Sequence, residues 1–187
     1  MNIFVLDNDA ATSARMMCDK HVVKMILESC QLLSTAHHVL DGDVLLVDTG
    51  KRKYKTSVCT KKNICKATMI NHPCTIWTRE TRSNYLWLWK HAYALCKEYT
   101  RRYNKVHIME HMLLNELYDP PAKISKGKLT PFAQAMPEQY KDSNAVVAYR
   151  KYYINEKARF AKWKFTEEPE WWASKTAEVS SDELLPF

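Results

Sequence analysis

Three side chains in the stretch from Cys18 to Leu40 have the types and spacing that acid–base chemistry uses: His21, Lys24 and Glu28. On a helix they fall along one edge, with the lysine between the imidazole and the carboxylate. Such a carboxylate can move protons when a pocket desolvates it and shifts its pKa. The same residues also satisfy an ordinary solvated face, in which Lys24 and Glu28 form an i,i+4 pair contributing a few tenths of a kcal/mol. Asp19 and Lys20, about one turn earlier, add a second acid or base and a second amine, although Asp19 also sits where a first-turn carboxylate stabilises a helix start.

The element that must position these groups is legible in its other face. Val22, Met25, Ile26, the small Ser29, Leu32, Leu33, Ala36 and Leu40 recur at three-four spacing and predict a buried helix over 19–40, with Lys20, Lys24, Gln31, Thr35 and His38 as a polar stripe. Before it, residues 2–6 (NIFVL) are apolar and β-prone, predicting a buried extended start, then a short helix over 10–17 capped by Asp9. After it, Asp41-Gly42-Asp43 signals a turn into a basic insertion over 41–70, irregular apart from a possible short strand at Val44 to Val47. Further helices are expected over 74–103, 105–117 and 143–165. A proline-rich surface loop spans 119–137, and 173–187 read as a polar tail.

With 187 residues, three glycines and no linker-like stretch, the chain is expected to be one mainly α-helical domain over 1–172, a bundle with a short extended N-terminal segment. Six cysteines show no CxxC pair, so reduced thiols are expected. Cys59, Cys65 and Cys74 with His72 match no common zinc spacing, and the i,i+4 pair His107 and His111 lacks a third ligand. No metal and no cofactor are therefore expected. No apolar run approaches the roughly 20 residues of a membrane span, which argues for a soluble protein of the cytoplasm.

The net charge of +7 points to a polyanionic partner, and nucleic acid is the commonest. Candidate contacts are Trp77, Arg79, Arg82 and Asn84 around the start of the aromatic helix, then Lys105 and His107, and the cluster Tyr149-Arg150-Lys151-Tyr152-Tyr153. Rings stack on bases while guanidinium and ammonium groups hold phosphates. At helical spacing the same tyrosines form a core stripe continued by Phe160 and Trp163, as Trp77 does with Tyr85 and Leu88.

The cluster Tyr149 to Tyr153 is similar to the Trp-Tyr-Lys-Tyr-Tyr segment of the pyrimidine-dimer DNA glycosylases of the endonuclease V type. Together with the early helix bearing a carboxylate and cations, and the stretch NHPCTIWTRETRSNYLWLWKHAYALCKEYTRRYNKVH, it makes the chain resemble a divergent, longer, phage-type member of that family. The resemblance implies excision of a damaged or modified base from double-stranded DNA: a free N-terminal amine attacks the sugar C1′, an early-helix glutamate assists, and strand cleavage follows. It implies Glu28 or Asp19 as the acid or base. The family exposes a threonine amine after loss of Met1, whereas here Met1 precedes Asn2, a residue that ordinarily keeps the methionine in place. Lys20 or Lys24 could then form the Schiff base, or a carboxylate could activate water. Two other functions fit the same residues: a non-catalytic phage protein that binds nucleic acid or modulates a host enzyme, and an enzyme processing modified nucleotides.

Overall fold

The computed structural model describes residues 1–51 and 53–174; most of the polar tail expected over 173–187 lies outside the described residues. The chain is mainly α-helical, as its glycine scarcity and helix-period stripes predict. Its helices are α1 (Ala10–Arg15), α2 (Asp19–Asp41), α3 (Pro73–Glu80), α4 (Arg82–Tyr103), α5 (Met109–Asn115) and α6 (Ala145–Lys157). A single antiparallel hairpin, β1 (Asp43–Asp48) and β2 (Lys53–Val58), is the regular β-structure among the described residues.

Helix α2 is the centre of the packing and lies against α3, α4 and α5, while α1 packs on α4. Val22, Met25, Ile26, Ser29, Leu32, Leu33 and Ala36 are all buried on it, the face that periodicity selects. The polar stripe differs from expectation: Lys20 and Lys24 stay exposed, but Thr35 and His38 are buried. The insertion causes this. Residues 59–68 fold back over the C-terminal half of α2, where His38 Nδ1 accepts from Cys59 N at 3.1 Å, its Nε2 meets the Cys65 carbonyl at 2.8 Å, and Thr35 Oγ1 accepts from Thr68 N at 3.1 Å. The short strand expected at Val44 to Val47 is thus one arm of a longer hairpin, β1 with β2, while 59–68 lie on α2 without helix or strand. Gly42 makes the handover possible, because a Cβ there would run into the carbonyls of His38 and Val58.

The helix expected over 74–103 is two helices. Thr81 is extended, its hydroxyl accepts from Asn84 N at 3.1 Å as the N-cap of α4, and Arg82 N donates to the Ser125 carbonyl at 2.8 Å, so the ladder restarts there. The helix expected over 143–165 ends at Lys157, and residues 158–165 form a strap that returns to the start of α2. The segment 105–117 is helical over Met109–Asn115.

The strap, α2 and α4 meet at one buried ionic node. Arg102, whose side chain is fully buried, donates to Asp19 Oδ1 at 3.1 Å and Glu98 Oε2 at 3.1 Å, and to the carbonyls of Met17 and Arg15 at 2.8 and 2.9 Å. Asp19 Oδ2 accepts from Lys164 N at 2.8 Å. Removing one member of such a node leaves an uncompensated buried charge. Arg102→Ala should therefore lower the unfolding free energy by about 3–5 kcal/mol, read as a shift of the urea midpoint.

Candidate active site

The N-terminal segment crosses α2 and ends at Glu28. Ile3, Phe4, Val5 and Leu6 are buried, each contributing about 1.5–3 kcal/mol of apolar burial, although the segment forms no strand. It is held by polar contacts instead: Asn2 Oδ1 accepts from Ile3 N and Phe4 N at 2.8 and 3.2 Å, Asn2 Nδ2 donates to the Ala135 carbonyl at 2.8 Å, and Leu6 N donates to Ser13 Oγ at 3.0 Å. Phe4 takes φ of 40°, the left-handed region that a phenylalanine rarely occupies, so the surrounding contacts hold local strain where the chain passes His21.

Glu28 is where the start of the chain converges with α2. Its Oε2 lies 3.9 Å from the Met1 amine and accepts from Asn2 N at 3.0 Å, while Oε1 pairs with Lys24 Nζ at 3.2 Å. The glutamate side chain is 13% exposed and Lys24 is 68% exposed, so the carboxylate is sheltered and the lysine tip is in water. His72, the N-cap of α3, belongs to the same neighbourhood. Burial lowers its pKa, the Met1 ammonium lowers it further, and Glu28 opposes both. Cys74, two residues on, is buried, and its thiol is pushed up to about 11 by burial. The His-Pro start of α3 was visible in the sequence, but nothing local says that it would face the first residue of the chain.

His21 lies two turns before Glu28, about 10 Å along the axis. It is buried among aromatic rings, 4.5 Å from Phe4, 5.0 Å from Tyr153 and 5.5 Å from Phe160 between centroids, and its Nδ1 has no hydrogen-bond partner. Burial, then the charges of Lys157 and Lys24, lower its pKa to about 3, so the ring is neutral at physiological pH. Lys157, which periodicity did not single out, donates to Tyr152 Oη at 3.2 Å and stands over the Tyr152 ring at 4.5 Å. Lys24 and Lys157 are thus two cations close to the Phe4–His21 pair.

The remaining sequence candidates divide by burial. Asp19 belongs to the Arg102 node rather than to the Glu28 neighbourhood, and Lys20 is exposed with its ammonium 5.3 Å from the Phe160 ring. Tyr149 and Tyr153 are fully buried, with Tyr149 Oη donating to the Ala133 carbonyl at 2.6 Å and Cys18 N donating to Tyr153 Oη at 3.0 Å. Arg150 Nε donates to the Leu6 carbonyl at 2.9 Å, Lys151 pairs with Asp142 at 2.9 Å, and Tyr152 stacks on Phe4. Trp77 and Asn84 are buried, Asn84 Nδ2 donating to the Trp77 carbonyl at 2.8 Å, and Arg79 donates to the Ile70 carbonyl at 2.7 Å. Arg82 and Lys105 are exposed, and His107 is half-buried with Nδ1 accepting from Met109 N at 3.2 Å. A cleft of about 720 Å³, lined by Arg15, Arg150 and Trp171 among others, does not include Glu28.

The first residue of this helical protein is laid against a sheltered glutamate on its central helix, so an amine and a carboxylate face each other. The chain belongs to the pyrimidine dimer DNA glycosylase family, whose model matches residues 1–111, a span that contains the N-terminal segment, α1 to α4 and Glu28. DNA is the substrate class of that family and glycosylase-type chemistry its activity. No curated protein and no solved structure shows significant similarity to the chain. Among the described residues no helix is long and apolar enough to cross a membrane.

The neutral, buried His21 has a consequence for stability. Its folded pKa lies below the unfolded value near 6.5, so its contribution is fully present above about pH 6.5 and is lost as pH falls toward 3. In His21→Phe the stability deficit relative to wild type should shrink by about 1.4 kcal/mol per pH unit below 6.5, measured by urea unfolding between pH 7 and 5. An unchanged difference across that range would mean that His21 is charged or solvated.

Proposed function

We propose that the protein excises a damaged or modified base, most simply a pyrimidine-dimer base, from double-stranded DNA, with the amine of the first residue as nucleophile and Glu28 as its acid–base partner. The observation that carries this reading is the position of the first two backbone nitrogens, 3.9 and 3.0 Å from one sheltered carboxylate oxygen. In the chain as it begins at Met1 the reactive amine is that of methionine. If Met1 is removed, the Asn2 nitrogen becomes the primary amine, already within hydrogen-bond reach of Glu28. Processing thus changes which residue attacks and leaves the same carboxylate facing it.

In this mechanism Glu28 accepts a proton from the ammonium. The freed lone pair attacks C1′, the C1′–base bond breaks, and the base leaves with its electron pair and acquires a proton. Opening of the sugar gives an imine between C1′ and the amine. Loss of a C2′ proton from that imine then expels the 3′ phosphate, so strand cleavage accompanies excision. Lys24 is less suited to the nucleophile's role, because its exposed ammonium lacks the apolar enclosure that activates a lysine. Lys24 instead holds Oε1 and leaves Oε2 toward the amine.

Glu28→Gln keeps the shape and removes the charge. It should lower single-turnover excision by about 10²–10⁴-fold while leaving affinity for lesion duplex nearly unchanged. Borohydride trapping should give a covalent protein–DNA adduct, and mass spectrometry should place it on the first residue. An adduct on Lys20 or Lys24, or none while excision proceeds, would replace the amine with a side-chain nucleophile or activated water. Full activity in Glu28→Gln would remove Glu28 from the mechanism.

A further inference from the structure

The strap after α6 builds a second concavity beside the start of α2. It holds about 450 Å³ and is lined by Asp19, Lys20, Tyr103, Arg159, Phe160, Lys162, Lys164 and Phe165. Lys20, Arg159, Lys162 and Lys164 are exposed, and none of the four makes an ion pair among the described residues. The one carboxylate in the lining, Asp19, is already engaged by Arg102 and Lys164 N. Phe160 carries Lys20 and Arg159 over its ring at 5.3 and 5.7 Å, whereas Phe165 rests an edge on Tyr103 at 5.2 Å and is 51% exposed. Two backbone bonds set the strap's position, Asp19 N to the Lys162 carbonyl at 2.9 Å and Lys164 N to Asp19 Oδ2 at 2.8 Å, and Trp163 is buried beneath it.

We propose that this cleft is a second DNA-binding subsite, in which Lys162 and Lys164 hold backbone phosphate and the exposed ring of Phe165 lies against the adjoining nucleotide. Unpaired cations around an accessible aromatic face are the arrangement that takes a nucleic-acid strand, since the cations neutralise phosphate and the ring contacts sugar or base. The site's distance from the chemistry follows from α2, which carries both. Lys20 and Glu28 are eight residues apart on one helix, about 12 Å of rise. For a duplex strand lying along α2 and advancing about 3.4 Å per nucleotide, that rise places the cleft about three to four nucleotides from the reacting sugar. The proposal rests on the reading of Glu28 as the reaction centre.

The test is a phosphate map. Duplexes carrying a single cyclobutane pyrimidine dimer are made with one neutral methylphosphonate at successive positions on either side of the lesion, and binding is followed by fluorescence anisotropy. Wild type should bind more weakly when the neutral group lies about three to four nucleotides away on one side, and Lys162→Ala/Lys164→Ala should be insensitive there. In that double variant the slope of log affinity against log salt should fall by about 0.9 for each phosphate that the protein no longer neutralises, and Lys162→Arg/Lys164→Arg should keep the wild-type slope. Phosphate maps that coincide in wild type and the alanine variant, or an unchanged salt slope, would overturn the subsite. If Glu28→Gln excises as fast as wild type while the maps still differ, the reading of the reaction centre fails and the DNA-binding subsite stands.

Discussion

The buried guanidinium of Arg102 is the interaction on which the rest of the arrangement depends. From one side chain on α4 it reaches the carbonyls that end α1, the first carboxylate of α2 and Glu98 on its own helix. Asp19 passes the constraint on, since its second oxygen takes the backbone of Lys164 and its own N–H is donated to the Lys162 carbonyl. A charge removed from water is stable only while its partners are in place. The node therefore fixes how the start of α2 sits against α4 and where the strap crosses it, beside Lys20 and His21.

The second constraint is the seating of the chain's first residues. Four consecutive apolar side chains are buried without sheet partners, and the backbone of Ile3, Phe4 and Leu6 bonds instead to the side chains of Asn2, Ser13 and Arg150. Arg150, a candidate nucleic-acid contact by its place in the aromatic–basic cluster, thus also holds the backbone of this segment. Phe4 holds the turn that this path requires, braced by His21, Tyr152 and Tyr153. The aromatic cluster of α6 is consequently the wall against which the N-terminus is placed. It helps to seat the first residues beside a carboxylate that would otherwise be an ordinary surface partner of Lys24.

The division of labour along the chain is uneven. The span that matches the glycosylase family ends within α5, yet α6, beyond it, packs on the N-terminal segment and adds the cation Lys157 beside Phe4, and the strap closes on the start of α2. The insertion between α2 and α3 closes the opposite end of α2 through His38, a residue that a helical wheel places on the solvent side. Both additions cover α2 and leave Lys20 and Lys24 on its edge exposed.

The sequence by itself determined the helical class, the buried face of α2 from Val22 to Ala36, the cap at Asp9 and the burial of residues 3 to 6, because each follows from local spacing or from apolar side chains that must leave water. It also placed Glu28 and Lys24 within reach of each other, since i,i+4 geometry is a property of any helix. Tertiary structure alone decided which carboxylate meets the amine. Asp19 and Glu28 are equivalent by type, but Asp19 is drawn into the Arg102 node 83 residues away in sequence, and Glu28 is met by a segment 26 residues earlier. It likewise decided that Tyr149 and Tyr153 pack inward while Lys162 and Lys164 face solvent. No residue's neighbours in sequence carry that information, because a tyrosine stripe and a basic-aromatic surface have the same period until another element covers one of them.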